Sequence, residues 1–71
     1  MATEKECFEV GKDMVKGFQS KGVIVRIIRL VGGSIPDGFN DYLYEKLGDD
    51  WDNQIENQQA FVNGWNSVAD K

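Results

Sequence analysis

One stretch of this 71-residue sequence concentrates β-branched residues, Val23-Ile-Val-Arg-Ile-Ile-Arg-Leu-Val31. A run of this kind reads as a strand. Alternation puts Ile24, Ile28 and Leu30 on one face and Val23, Val25, Ile27 and Val31 on the other, so both faces are largely apolar and need cover. Arg26 and Arg29 interrupt the run, and a membrane span takes about 20 apolar residues. A lone strand leaves its N–H and C=O groups without partners. The simplest partner is the same strand of a second copy, antiparallel about a two-fold axis. Val23, Val25, Ile27 and Arg29 would then form the dimer strand. A homodimer also compensates for a small core, since a chain of this length secures only about 3–5 kcal/mol on its own. The sequence holds one Cys and no His, so an internal disulfide and an imidazole metal site are both excluded.

The rest of the chain carries helical patterns. Thr3 and Glu6 have the spacing of a capping box, in which each side chain satisfies the other's backbone N–H. Beyond them Cys7, Phe8, Val10, Gly11, Met14, Val15 and Phe18 share one arc of a 100° wheel, and charged residues fill the other. This predicts an amphipathic helix ending near Gly22. A second helix is expected from about Pro36 to Leu47, stopped by Gly48, with Phe39, Leu43 and Leu47 as its buried stripe. The acidic junction Asp49-Asp50-Trp51-Asp52-Asn53 opens a third, whose apolar arc holds Trp51, Ile55, Val62, Trp65 and Ala69 and whose outer face holds Asn53, Asn57, Gln59, Asn63 and Asn66. The expected fold is a single α+β domain over residues 1–71, ordered α-β-α-α, with its one strand paired across a dimer. The alternative is a three-stranded β-meander followed by two helices, because Gly11-Lys12 and Ser20-Lys21-Gly22 could form hairpin loops.

Charge is distributed unevenly. Residues 37–56 hold seven acids (Asp37, Asp41, Glu45, Asp49, Asp50, Asp52 and Glu56) and a single base, Lys46, for a local charge of −6; the remainder sums to +2 within a total of −4. Four residues of helix rise about 6 Å, close to the spacing of neighbouring phosphates on one nucleic-acid strand. Asp37, Asp41 and Glu45 therefore make a carboxylate row on a phosphate-like pitch. Such a row attracts a groove built to exchange counterions for phosphates. Tyr44 beside the row is expected to be an exposed aromatic contact anchor.

Other chemistries find little support. An EF-hand loop starting at Asp50 would need Gly and Glu where Ile55 and Phe61 stand. Gly32-Gly33-Ser34 lacks the P-loop lysine, and a 71-residue chain offers no room for a substrate cleft around paired carboxylates. A helix-turn-helix reading fails because the third helix has no Arg or Lys to face phosphates. Arg26 and Arg29, three apart, would point to opposite faces of a strand and are expected to pair with acids or lie at the dimer edge. Cys7, Trp51 and Trp65 read as core. No cofactor, no metal and no enzymatic activity are expected. The opening Met1-Ala-Thr-Glu-Lys-Glu lacks the pattern of a signal peptide, and the lone Cys fits a reducing compartment, so a cytoplasmic location is expected.

Small size, acidity and the row Asp37, Asp41, Glu45 resemble the DNA-mimic inhibitors with which bacteriophages block host nucleic-acid-binding proteins. One such type, from Bacillus phages, occupies the DNA-binding surface of nucleoid protein HU. Phe61-Val62-Asn63-Gly64-Trp65-Asn66 is similar to a stretch in an acidic CRISPR-Cas inhibitor of Listeria phages, although Ser67-Val68-Ala69 stands here where acids would follow. The resemblance implies a phage host-takeover protein, acting in the host bacterial cytoplasm, that occupies a basic DNA-binding host protein and competes with DNA. Asp37, Asp41, Tyr44, Glu45, Asp49, Asp50, Asp52 and Glu56 would bind that partner. No direct nucleic-acid or membrane binding is expected. The rival expectation is a small structural or adaptor protein that oligomerises through its strand.

Overall fold

The computed structural model describes residues 2–29 and 40–70. Among the described residues the chain is all-helical: α1 (Glu4–Ser20), α2 (Asn40–Leu47), a 3₁₀ turn (Trp51–Asn53) and α3 (Ile55–Val68). The α+β expectation is therefore corrected, and so is the β-meander. Phe39 and the expected start of the second helix at Pro36 lie outside the described residues, as do Leu30 and Val31.

The start of α1 follows from its cap. Thr3 is extended, its Oγ1 accepts the Glu6 N–H at 3.1 Å, and the Thr3 N–H donates to Glu6 Oε1 at 3.0 Å. The Thr3 backbone bond, then its hydroxyl, hold the Glu6 carboxyl below its ordinary pKa. A depressed carboxylate contributes its stability above the ordinary Glu range and loses it as pH falls through the lowered value. Thr3→Ala is expected to cost about 1 kcal/mol in urea unfolding, and the difference from the parent should shrink as pH falls through the Glu6 titration. The helix ends in a Schellman arrangement: Gly22 (φ 81°) donates to the Gln19 carbonyl at 3.0 Å and Val23 to that of Phe18 at 3.1 Å. At α2 the expected stop holds, with Gly48 at φ 93°.

α1 and α3 lie side by side and run parallel. Near their starts Asn57 Nδ2 donates to the Ala2 carbonyl at 3.1 Å, and at their ends Gln19 Nε2 donates to the Val68 carbonyl at 2.8 Å. The backbones meet at two glycines. A Cβ on Gly64 would collide with the Phe8 carbonyl, and one on Gly11 would collide with the Phe61 carbonyl and stand 2.9 Å from the Trp65 nitrogen. This approach seats Trp51, Phe61 and Trp65 in a chain of tilted rings, 5.7 and 6.0 Å between centroids, with Phe18 edge-on to Trp65. Leu43 and Leu47 of α2, with Cys7, Met14 and Val15 of α1, complete the core.

The segment expected as a strand is not one. Its two inward residues are three apart, where one face of a strand needs an even spacing: Val25 is buried and Ile28 packs against the core, while Val23, Ile24 and Ile27 are exposed, Ile24 at 72%. Hydrogen bonds assigned to a second copy come instead from the end of α3 and the two residues after it. Asn66 pairs with Ile28 as a peptide group would, its Oδ1 accepting the N–H at 2.8 Å and its Nδ2 donating to the carbonyl at 2.9 Å. Trp65 Nε1 donates to the Arg26 carbonyl at 2.8 Å. Asp70 Oδ2 accepts the Val25 N–H at 3.0 Å, and the Asp70 N–H donates to the Val25 carbonyl at 2.6 Å. One isolated parallel bridge, Arg26 to Asp70, is the β-type pairing among the described residues. The hydrogen-bonding argument for Val23, Val25, Ile27 and Arg29 as a dimer strand therefore fails. Two face assignments on α3 also reverse: Ile55 is exposed, and Asn57 is buried.

Candidate acidic docking surface

The acidic segment folds as the end of one helix, a turn and the start of another. Asp41 and Glu45, one turn apart on α2, are exposed. Gly48 redirects the chain, and Asp49 and Asp50 follow on the surface. Glu56, in the first turn of α3, is exposed as well, and an acid there is favoured by the helix dipole. Asp37 lies outside the described residues.

What fixes this surface is the 3₁₀ turn. Trp51, fully buried, stands between Asp50 and Asp52 and pins the turn to the core. Its N–H donates to the Gly48 carbonyl at 3.3 Å, and its own carbonyl accepts from Asn57 Nδ2 at 3.0 Å. Gln58 Nε2 donates to the Asp52 carbonyl at 2.6 Å. The buried amide of Asn57 thus ties both Ala2 and the acidic turn to α3, a role that the polar pattern of the sequence assigned to solvent.

Tyr44 is not the exposed anchor expected of it. The ring is half-buried against the core, and its hydroxyl donates to Asp52 Oδ2 at 3.2 Å. The Asp52 charge, its hydrogen bond, partial desolvation and then the Asp49 charge raise the Tyr44 pKa above the ordinary phenol value. Asp52→Asn is expected to bring the Tyr44 midpoint down toward that value in an ultraviolet absorbance titration. The sign follows from the neutral phenol being the form that donates: its contribution to stability is present below the ordinary value and is lost as pH rises through the raised one. The exposed aromatic is the neighbouring Tyr42, with the Lys46 ammonium 5.7 Å from its ring centroid.

No ion pair neutralises these acids among the described residues, where Glu9 and Lys12 on α1 form the single pair, at 3.9 Å. The parallel packing adds an acid that linear reading left out. Glu4 of α1 joins Glu56 along a groove of about 620 Å³ that also includes Lys5, Phe8, Ile55 and Asn63. Nothing in the sequence signals this neighbour, because only the side-by-side, parallel docking of α1 and α3 brings the two helix starts together.

Among the described residues no three His, Cys, Asp or Glu side chains gather as a metal site. Burial, reinforced by the Glu6 and Glu4 charges, pushes the Cys7 thiol up to about 11, which leaves it protonated and a poor nucleophile. None of the described helices is long and apolar enough to cross a membrane. In comparisons with protein-family models, with curated proteins and with solved structures, the chain matches none.

Proposed function

We propose that the chain works without catalysis, by laying its acidic surface on the basic nucleic-acid-binding surface of another protein and competing there with DNA. The observation that carries the reading is the set of five exposed carboxylates (Asp41, Glu45, Asp49, Asp50 and Glu56) held on a hydrogen-bonded helix-turn-helix frame with no ion pair among the described residues. Carboxylates on such a frame lose little freedom on binding. Asp37 would extend the row, and Asp52, tied to Tyr44, serves to hold its shape. Purified nucleoid protein HU is a suitable probe of the partner class, and a bacterial host cytoplasm the corresponding setting.

The test is a competition gel-shift in which the chain displaces duplex DNA from that protein. Asp41→Lys with Glu45→Lys is expected to weaken displacement at least about tenfold, since like charges placed across an interface cost several kcal/mol. Displacement by the parent chain should also weaken as salt rises, through screening of the exposed charges. Displacement that survives the double reversal would overturn the proposal.

A further inference from the structure

We infer that the non-helical segment Val23–Arg29 is a second docking edge, built to take an acidic, partly apolar chain segment of a partner protein that runs beside it. Clamps from Trp65, Asn66 and Asp70 hold this segment by its inward backbone groups, at Val25, Arg26 and Ile28. The N–H groups of Ile24, Arg26 and Arg29 have no hydrogen-bond partner among the described residues, whereas the parallel bridge of Arg26 to Asp70 turns the Ile27 N–H toward Asp70. The segment is therefore held in place by these clamps, with the Ile24, Arg26 and Arg29 donors unused among the described residues, before any partner arrives. That pre-organisation lowers the ordering cost of adding a chain along it, the mode by which peptides join an exposed backbone edge.

The side chains specify the occupant. Val25 and Ile28 face inward, and Val23, Ile24, Arg26, Ile27 and Arg29 are left exposed. Both guanidinium groups are exposed and without an ion pair among the described residues, which calls for carboxylates opposite them. Val23, Ile24 and Ile27 are each at least 48% exposed and call for apolar neighbours. A second copy of the same segment is disfavoured, because pairing would gather four arginines with no acid in the stretch Val23–Arg29. Nucleic acid is disfavoured by the apolar surface here and by the net charge of −4.

The probe is a capped eight-residue peptide of alternating valine and glutamate, titrated into the isotopically labelled full chain and followed by amide chemical shifts. Saturable shifts confined to the amides of residues 23–29 are expected, with Arg26→Glu plus Arg29→Glu weakening the peptide at least about tenfold. Asn66→Ala, which removes the Ile28 clamp, should also weaken it while the α1 and α3 amides keep their positions. Asp49→Lys plus Asp50→Lys should not weaken it, which separates this edge from the acidic surface. Equal binding of a peptide with lysine in place of glutamate would overturn the inference. So would tighter binding of a single-stranded oligonucleotide at the same amides, or shifts of those amides on dilution of the chain alone.

Discussion

Gly64→Ala is expected to destabilise the chain strongly, whereas Gly17→Ala makes it more stable. The substitution is the same, both sites are helical, and the outcomes differ in sign because of what lies beyond each Cα. At Gly64 the new methyl would collide with the backbone carbonyl of Phe8, and the whole of α1 would have to move to relieve it. Moving α1 outward opens the seam that buries Phe61, Trp65 and Cys7. Overpacking relieved by side chains costs about 1–3 kcal/mol. A backbone-to-backbone collision sits at or above the upper end of that range. Against the ~3–5 kcal/mol that a chain of this length secures, this is a large loss, and thermal unfolding should shift down by about 15 °C or more. At Gly17 nothing lies within 4 Å of the added carbon. There the alanine only removes chain entropy from the unfolded state, for a gain of about 0.5–1 kcal/mol. Circular-dichroism melts of the two variants side by side check both, and equal effects would refute the close helix crossing.

Trp51 is the second site of large effect. Trp51→Ala empties the fully buried position at the centre of the acidic turn and is expected to cost about 3–5 kcal/mol. Trp51→Phe should cost much less, about 1–2 kcal/mol, because the indole Nε1 has no acceptor among the described residues and its loss breaks no hydrogen bond. Urea unfolding followed by circular dichroism measures the difference. The functional consequence is separable. In Trp51→Phe the ring still pins Asp49, Asp50 and Asp52, so under the proposed function competition with DNA should persist near the parental level, whereas in Trp51→Ala the loss of the frame and the loss of competition should go together.

Parts of this architecture were legible without coordinates. The capping box of Thr3 and Glu6, the clean arc from Cys7 to Phe18 and the glycine stop after Leu47 are local signals, and each is satisfied locally, so α1 and the end of α2 could be read from spacing alone. The exposure of Asp41, Glu45, Asp49, Asp50 and Glu56 was equally legible, since unpaired charge is costly to bury, whereas Asp52 is half-buried against Tyr44 and Asp37 lies outside the described residues. The strand was not. A β-branched run reports a preference for extended backbone but not the identity of its hydrogen-bonding partners. Here those partners are the side chains of Trp65, Asn66 and Asp70 and the Asp70 backbone, remote in sequence, and they turn Val25 and Ile28 inward, three residues apart where a strand face needs an even spacing. The same remoteness reversed Asn57, whose amide is buried because the Ala2 and Trp51 carbonyls converge on it, and Tyr44, whose hydroxyl is drawn to Asp52.

The sequence by itself determined the first helix with its strong local cap, the lack of any imidazole or internal disulfide, and the concentration of negative charge in residues 37–56. Tertiary structure alone decided that α1 and α3 run parallel, that Glu4 stands with Glu56, and that the Val23–Arg29 segment lies against α3 instead of pairing as a strand. The physical reason is the range of the interactions involved. Caps, helix periodicity and net charge are set by residues within a turn or two of one another. Helix direction and the pairing of a lone segment depend on a backbone contact through Gly11 and Gly64 and on amide and indole donors that meet their acceptors only once the chain has closed on itself.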